Sequence, residues 1–380
     1  MKKKLLTVGS YVLVAMLATV ITLAMVGGNG PSKLDRLETL IEDCFIGEAD
    51  TQAMEDAAAA AMVKATGDRW SYYISAKDYD AHREQEENAY VGVGITIVKQ
   101  EDDSGFLVAM VVDGGPAQEA GIQVNDLIIG AEEQDVRSMT TEELGTLVKG
   151  KAGTKVSLTL LRKGENLTVT VERRRIEQPV AEGELLDGGI GLVRIENFDD
   201  RCSEETIAAI EKLRSEGARK LIFDVRNNPG GFAEELVKTL DYLLPEGDLF
   251  RSVSYDGKEK VDVSDANYLD MPMAVLVNGD SYSAAEFFAA ALQEYNAAVV
   301  VGEPTVGKGY YQQTIQLGDG SAVALSTGKY FTPKGNSLID KGVIPTVRVD
   351  VDEETASAIY YGTLQPADDP QLQAAINALE

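Results

Sequence analysis

The chain has 380 residues, which is enough for two or three domains that each bury a hydrophobic core. Its 62 acidic residues outnumber its 35 basic residues and give a formal net charge of −27. Such a field repels phosphate backbones, so the composition argues against nucleic acid as a partner.

The first segment, residues 1–28, is predicted to be a membrane anchor. A basic cluster, Met1–Lys4, precedes an uncharged run of 22 residues, 5–26. In a helix that rises ~1.5 Å per residue, such a run crosses a hydrocarbon core of ~30 Å. No Ala-x-Ala cleavage site follows, so we expect an uncleaved anchor rather than a signal peptide. The lysines then stay in the cytoplasm, and the chain after Gly28 is extracytoplasmic.

Three helices are predicted within residues 29–88. Ser32 is placed to cap the first, which has an apolar face. The second is rich in alanine and covers 51–66. Ser75 and Asp78 have the spacing of a capping box and are predicted to open a third, highly charged helix.

Residues 89–175 have the pattern of one small β-rich module. Glycine alternates with β-branched residues over 91–97, and Asp103-Ser104-Gly105 is typical of a hairpin turn. The remaining elements are short helices at 115–122 and 141–149, and strands at 126–129, 156–161 and 167–171. A unit of this size folds as a domain of its own.

Strands and helices alternate in the next segment, residues 176–350. Strands are predicted at 190–195, 221–225, 274–277 and 298–301, and helices at 203–216, 232–244 and 284–295. This alternation predicts α/β layers around a buried sheet. The remaining tail, 351–380, is predicted to be helical and polar.

The sequence contains a single histidine, His82, which limits the hydrolase mechanisms that depend on histidine. A Ser-His-Asp triad, a Cys-His dyad or a multi-histidine zinc site would all depend on it. It lies in a helix that is solvent-facing by composition, so we expect no catalytic role for it. The sequence Asp103-Ser104-Gly105 falls in the predicted hairpin and does not suggest an aspartic protease.

A near match to a phosphate-binding loop occurs at 302–309. The spacing G-x-x-x-x-G-K is present, but Gly309 stands where the Mg²⁺-binding hydroxyl would be. The residues that follow, 310–315, look like a strand rather than the helix that would hold a phosphate. We therefore expect no nucleotide site, and a lysine remains as a possible base for a serine.

Five segments resemble motifs of the C-terminal processing (tail-specific) serine peptidases. They are the glycine-rich signature at 221–231, the nucleophile motif at 281–286, the lysine motif at 302–312, and the closing strands at 329–333 and 342–345. The motifs occur in order, and the likeness runs from about Leu37 to the tail. The resemblance implies an α/β multidomain protein with N-terminal helices, a PDZ-like module and a crotonase/ClpP-like peptidase domain.

The resemblance assigns roles to three side chains. Ser283 corresponds to the nucleophile, Lys308 to the general base, and Gln312 to the residue that orients the lysine. Lys308 follows Ser283 by 25 residues, as the family pattern requires. Tyr282 and Ala285 depart from the pattern, which usually has a small residue and a serine there. Neither position is catalytic, although Tyr282 could alter access to the nucleophile.

A lysine acts as a base only when it is neutral. At the ordinary pKa of ~10.4, about one lysine in 2,500 is neutral at pH 7, so burial must favour the uncharged form. We expect Val299, Val301 and Val306 to supply apolar surroundings for Lys308.

Backbone amides where a strand gives way to a helix suit an oxyanion hole. The Ala284 amide and an amide of Gly230 or Gly231 are the candidates, since both loops end strands and open helices. The resemblance implies no cofactor and no metal.

The segment Gly92-Val93-Gly94-Ile95 resembles the carboxylate-binding loop of PDZ domains, in which backbone amides meet a peptide C-terminus. Residues 115–126 strengthen that resemblance. It implies capture of polypeptide substrates by their exposed C-terminal tails, and gating of the active site is a further hypothesis. Relatives also form dimers through terminal segments, so the apolar faces at 34–45 and 372–379 predict a possible homodimer.

Some alternatives remain open. Ser283 with Glu286 alone would be a capping box, Lys308 alone a surface lysine, and the glycine-rich loop a plain turn; their joint occurrence favours a peptidase. The rivals are a non-catalytic PDZ scaffold that binds peptide C-termini and a small-molecule binder on a crotonase-like fold. Cys44 and Cys202 are predicted to be unpaired, half-buried thiols.

Overall fold

The computed structural model describes residues 32–380. The described chain divides into two compact units, one ending at Arg69 and the other running from Trp70 to Glu380. The predicted anchor, residues 5–26, lies outside the described residues. Within 32–380, no helix is both long enough and apolar enough to cross a membrane.

The helices lie close to their predicted positions. Within residues 32–380 they are α1 (Lys33–Cys44), α2 (Thr51–Lys64), α3 (Tyr79–Glu86), α4 (Pro116–Glu119), α5 (Thr141–Val148), α6 (Cys202–Ser215), α7 (Ala233–Leu243), α8 (Ala284–Glu294), α9 (Glu353–Tyr360) and α10 (Pro370–Ala378). The predicted cap of α1 is confirmed, because Ser32 Oγ accepts from the Asp35 N–H at 3.2 Å and the Asp35 carboxylate accepts from the Ser32 N–H at 2.8 Å.

The strands of the same region form four sheets. They are β1 (Tyr72–Ile74), β2 (Ala89–Gly92), β3 (Ile95–Lys99), β4 (Phe106–Val111), β5 (Leu127–Ala131), β6 (Gln134–Asp135), β7 (Lys155–Arg162), β8 (Glu165–Glu172), β9 (Arg174–Glu177), β10 (Ala181–Leu186), β11 (Ile190–Ile195), β12 (Lys220–Asp224), β13 (Gly247–Ser254), β14 (Glu259–Ser264), β15 (Met273–Val277), β16 (Ala298–Gly302), β17 (Tyr310–Gln316), β18 (Ala322–Phe331) and β19 (Val347–Arg348).

The region between β2 and β9 is the predicted β-rich module. Its main sheet has the order β3-β4-β5-β7-β8, with β6 on β5, and the β2–β9 pair closes the module at its base. The hairpin predicted at Asp103-Ser104-Gly105 joins β3 to β4. Phe106, Ile128 and Leu158 come from three strands and are fully buried together with Leu144 of α5.

The second sheet is buried on both faces, as the apolar runs predicted. Its order is β10-β11-β12-β15-β16-β19, and all of its pairs are parallel except β10 with β11. Alternate residues of β12 serve opposite cores. Leu221 and Phe223 pack beneath α6, α7 and α8, whereas Ile222 faces the side that α10 covers. The carboxyl ends of these parallel strands therefore meet at one edge.

A third, antiparallel sheet was not predicted in full. It has the order β1-β18-β13-β14, with β17 also paired to β18. The hairpin of β13 and β14 escaped the sequence pattern because its strands carry many charged residues and half-exposed side chains. β17 confirms that a strand, not a helix, follows the phosphate-loop-like segment.

The tail differs from the polar helical segment that was predicted. Prolines at 366 and 370 break it, and Leu372 and Ala375 of α10 are buried against the sheet. Arg226, which follows β12, anchors this helix: its guanidinium lies 2.6 Å from Asp224 and 2.8 Å from Asp369. The apolar face at 372–379, predicted as a dimer contact, is thus largely internal.

Three side chains are buried to a different extent than predicted. Both cysteines are free as predicted, but Cys44 is exposed and Cys202 is buried, with its thiol pKa raised by that burial to about 12. His82 is less exposed than its helix suggested, at 18% of its side chain, and its Nε2 lies 3.3 Å from Glu86.

Candidate active site

Ser283 stands at the corner between β15 and α8. Its backbone has φ 58° and ψ −121°, a conformation that is unfavourable for any residue with a Cβ. Ser281, two residues earlier, braces the same corner: its hydroxyl donates to the Val225 carbonyl at 2.7 Å and accepts from the Asn278 N–H at 3.0 Å. The strained conformation of Ser283 is therefore held in place by a hydrogen bond from Ser281 to Val225, the residue that follows β12.

The glycine-rich loop after β12 lies directly against this corner. Gly230 has φ +95°, and a Cβ built on it would lie 2.5 Å from Ser283 Cβ and 2.8 Å from the Ala284 nitrogen. Only glycine allows this approach. The loop is fixed from the other side by Phe198, whose N–H donates to the Gly230 carbonyl at 2.6 Å.

The three amides predicted for an oxyanion hole are not equivalent. The Gly230 N–H donates to Asn228 Oδ1 at 2.8 Å and is therefore occupied. Among the described residues, the Gly231 and Ala284 amides donate to no protein acceptor. Gly231 is exposed, whereas Ala284 is buried at the first position of α8.

Lys308 lies in the loop between β16 and β17, and Glu286 joins that loop to the nucleophile corner. Oε1 of Glu286 accepts from the Ser283 N–H at 3.1 Å and from the Lys308 N–H at 2.7 Å. Oε2 accepts from the Thr305 hydroxyl at 2.8 Å and from the Gly307 N–H at 2.9 Å. One carboxylate thus positions the backbone of both predicted catalytic residues.

Glu286 is fully buried. Burial raises the pKa of this carboxyl above its usual range, although the four hydrogen bonds that it accepts oppose the rise. The sequence motif suggested only a helix cap, because Glu286 stands three residues after Ser283. The bonds to the lysine loop could not be inferred from that spacing.

Two aromatic rings face the lysine amine. Trp70 and Tyr282 stack with their centroids 5.7 Å apart and an interplanar angle of 30°. Lys308 Nζ lies 4.9 Å from the Trp70 centroid and 5.9 Å from the Tyr282 centroid. Two of the three valines predicted to surround the amine do not do so, since Val299 and Val301 pack in the core beneath α10.

Gln312 lies on β17, four residues after Lys308. Its Nε2 donates to Ser326 Oγ at 2.9 Å and to the Tyr310 carbonyl at 3.3 Å. The β17–β18 ladder has a register shift beside it, between Tyr311 and Gln312. The orientation of the Gln312 side-chain amide is therefore fixed by Ser326 of the neighbouring strand β18.

Asp199 is a titratable group on the Phe198 side of the glycine-rich loop. Burial, with a smaller contribution from the charge of Glu86, raises the pKa of Asp199 from 3.8 to about 7. Phe198 itself forms a β-bridge with Gly231. The carboxyl of Asp199 thus changes charge near neutral pH, one residue away from the strand contact that holds the loop.

The predicted peptide-binding loop, Gly92 to Ile95, connects β2 to β3. The Val93 carbonyl accepts from the Ala117 N–H at 2.9 Å, and the Gly94 carbonyl accepts from the Val112 N–H at 3.0 Å. Gly94 has φ +79°, which reverses the direction of its peptide groups relative to a strand. The oxygen acceptors of this loop are therefore turned into the module.

Comparison with known proteins agrees with this arrangement. A PDZ-domain model matches residues 91–172, and the model of peptidase family S41 matches 189–349. The carboxy-terminal processing protease CtpA of Bacillus subtilis (strain 168) is 30% identical over 367 residues, covering 92% of this chain and 78% of the relative. A probable CtpA-like serine protease of Staphylococcus aureus (strain COL) is 30% identical over 84% of this chain, which spans 64% of that relative's length.

A putative S41 protease from Bacteroides fragilis NCTC 9343 has a similar fold. It superposes with a TM-score of 0.53 over 92% of this chain and 97% of that chain, at 18% sequence identity. Fold and family models together define a PDZ-containing serine peptidase. The chain belongs to the C-terminal processing peptidases of family S41, as the motifs in its sequence predicted.

Proposed function

We propose that the chain is a serine endopeptidase with a Ser283/Lys308 dyad, which cleaves extracytoplasmic polypeptides after its PDZ module captures their C-terminal tails. The observation that carries the proposal is the buried carboxylate of Glu286, which accepts from the amides of both dyad residues. Two loops held by one buried acceptor keep a fixed separation, as a nucleophile and its base require.

The proposed reaction begins with proton transfer from Ser283 Oγ to Lys308 Nζ while Oγ bonds to the scissile carbonyl carbon. The carbonyl oxygen takes up the electron pair of the broken π bond and becomes an oxyanion. The C–N bond then breaks, and the proton on Lys308 passes to the leaving amine. Water, losing a proton to the neutral lysine, attacks the acyl-enzyme, and Ser283 recovers its proton as the acid product leaves.

The surroundings of Lys308 suit this role. The stacked rings of Trp70 and Tyr282 lie beside the amine, and where ring atoms replace water the charged form loses hydration. Their π faces attract an ammonium ion, which limits how far the balance moves. We assign Gln312 the orienting role that its motif implies, with Ser326 holding its amide.

For the oxyanion we favour the amides of Gly231 and Ala284 over that of Gly230. The Gly230 N–H is already bonded to Asn228 Oδ1, so it would have to break that bond to serve the intermediate. The Ala284 amide lies at the N-terminus of α8, where the helix dipole also favours negative charge.

The PDZ module is the proposed site of tail capture. The carbonyls of Val93 and Gly94 are occupied inside the module, so the groups left to meet a ligand are N–H donors. Donors of this kind match the terminal carboxylate of a polypeptide. The same module also suggests the hypothesis that tail binding gates the active site of the peptidase.

The proposed location is the extracytoplasmic face of the cell membrane, with residues 5–26 as a single-pass anchor. The support is the uncharged run of 22 residues behind a basic cluster. A homodimer is also proposed, through α1 alone. Leu37 and Leu40 of that helix are 51% and 59% exposed.

The proposal is tested with the full chain in mild detergent and an unfolded reporter that ends in apolar residues. We compare wild type, Ser283→Ala and Lys308→Ala, and we record the melting temperature of each. We expect cleavage by wild type and none by the two variants, at melting temperatures within a few degrees of wild type. Cleavage by a folded Ser283→Ala protein would refute the dyad.

The capture role is tested with the same reporter carrying an amidated C-terminus. Amidation removes the charge that the PDZ loop is proposed to bind, so KM should rise while kcat stays within about twofold. Equal kinetics for the two reporters would exclude tail capture. A wild-type chain that binds tails but cleaves neither reporter would favour the non-catalytic scaffold instead.

A further inference from the structure

The hydroxyl of Tyr330 is a buried polar group that the proposed dyad does not use. Tyr330 lies near the end of β18 and is only 3% exposed. Among the described residues its Oη has no hydrogen-bond partner. Folded proteins rarely leave a buried hydroxyl unpaired, because phenylalanine would fill nearly the same space without the loss of hydration.

The ring of Tyr330 is fixed on the elements that carry the dyad. It packs against Phe287 with centroids 5.6 Å apart and against Phe250 with centroids 5.7 Å apart. Phe287 stands one helical turn after Ser283 on α8. The Tyr330 N–H donates to the carbonyl of Gly309, the residue after Lys308, at 3.1 Å. The ring thus packs on the nucleophile helix, and the backbone of Tyr330 is bonded to the lysine loop.

Two neighbouring groups, Ser283 and Glu286, affect the pKa of the Tyr330 hydroxyl. Burial and the negative charge of Glu286 raise the pKa of Tyr330 well above its usual range, while the nearby Ser283 hydroxyl opposes the rise. The phenol therefore keeps its proton at working pH and acts as a donor. Glu286 already accepts from four other groups, and Ser283, one helical turn before the Phe287 ring that Tyr330 packs on, is the remaining candidate acceptor.

We propose that Tyr330 is a further catalytic residue, whose hydroxyl donates a hydrogen bond to Ser283 Oγ while Lys308 withdraws the serine proton. The inference rests on the proposed dyad. The tyrosine keeps its own proton throughout: it stabilises negative charge on Oγ as the serine is deprotonated, and again when Oγ leaves the acyl carbon in deacylation. A donor that strengthens only as charge develops lowers the barrier without tightening substrate binding.

The test is Tyr330→Phe in the full chain, which removes one oxygen atom and keeps the ring contacts. We expect kcat to fall about 10- to 100-fold, with KM within about twofold of wild type. The melting temperature should not fall, because the lost hydroxyl had no partner in the resting protein. The second-order rate of inactivation by a fluorophosphonate, which reports attack by the serine, should fall by a similar factor.

Thr327→Val is the matched control. Thr327 lies on the same strand, and its hydroxyl is also buried without a hydrogen-bond partner. We expect the control to keep kcat, KM and the labelling rate of wild type. A Tyr330→Phe enzyme with kcat and labelling rate within twofold of wild type would overturn the proposal. Equal losses in both variants would also overturn it, since they would indicate a structural role for buried hydroxyls on this strand.

Ser283→Ala is run beside these variants so that the two ideas can fail separately. If Ser283→Ala is inactive and Tyr330→Phe is fully active, the dyad stands and the tyrosine has no catalytic part. If Ser283→Ala still cleaves, the dyad is wrong and the role of Tyr330 falls with it.

Discussion

Replacement of Glu286 by glutamine would test how the nucleophile and the lysine are held together. Glutamine keeps one acceptor oxygen and puts an NH₂ group where the other oxygen was, so a donor then faces at least one of the four donors around it. Two hydrogen bonds to a charged acceptor are worth about 3–6 kcal/mol together. Removing a buried charge offsets part of this loss, so we expect a net destabilisation of about 2–4 kcal/mol.

The effect on activity should be larger than the effect on folding. The amides of Ser283 and Lys308 share one oxygen of Glu286, so the rearranged side chain moves the two residues apart. A displacement of about 1 Å costs on the order of 100-fold in rate. We therefore expect kcat of Glu286→Gln to fall at least about 100-fold in the reporter assay, at a temperature where thermal unfolding shows the variant to be fully folded.

Glu294→Gln is the control, because Glu294, a half-buried carboxylate at the far end of the same helix, also accepts several hydrogen bonds. It accepts from Thr332 Oγ1 at 2.7 Å, from the Lys334 N–H at 2.9 Å and from Asn336 Nδ2 at 2.7 Å. At ~1.5 Å per residue it lies about 16 Å from Ser283 along the helix. We expect a smaller loss of stability, with kcat nearly unchanged. Equal losses of kcat in the two variants, or full activity of Glu286→Gln, would refute the reasoning.

Three further outcomes are expected. Gly230→Ala should abolish cleavage because its Cβ would lie 2.5 Å from Ser283 Cβ. Gly335 also has a positive φ, +80°, but open space around it, so Gly335→Ala should lose only about 1–2 kcal/mol of stability and keep full activity. Asp199 has a folded pKa of about 7 against 3.8 unfolded, so its ionisation lowers the free energy of unfolding as pH rises from about 4 to 7. Asp199→Asn should therefore stabilise the fold at pH 8 by at most about 4 kcal/mol, seen as a higher melting temperature. At pH 3.5 the melting temperature should be unchanged. Arg226→Met removes the close cation from two buried carboxylates, leaving Asp224 only Arg194 at 3.9 Å, and should cost about 3–5 kcal/mol in thermal unfolding. A pH-independent effect of Asp199→Asn, or an Arg226→Met protein that melts with wild type, would contradict these assignments.

The elements with a clear hydrophobic pattern were predictable from the sequence. β11 was predicted at 190–195 and runs from Ile190 to Ile195, because a strand buried on both faces leaves an apolar run, here interrupted only by Arg194. The corner at Ser283 was predictable as well, since a Ser-x-x-Glu pattern after an apolar strand marks a helix start. The charged hairpin of β13 and β14 was not predictable, because its half-exposed strands mix apolar and charged residues and show no apolar run.

Contacts between distant segments lay beyond the sequence pattern. Trp70 reaches Lys308 across 238 residues, and no local spacing joins them. The bonds from Glu286 to the lysine loop have the same origin, because a helix-cap motif specifies only what happens within one turn. Local motifs therefore predicted the candidate site residues, and the fold was needed to see how they are held.

The measurement that tests the central claim most directly is identification of the residue that a fluorophosphonate labels in the full chain at neutral pH. Intact-protein and peptide mass spectrometry would be run on wild type and on Lys308→Ala. We predict one adduct on wild type, located on Ser283, and a labelling rate at least 100-fold lower in Lys308→Ala. An adduct on another serine, or equal labelling of the folded Lys308→Ala protein, would contradict a Ser283/Lys308 dyad.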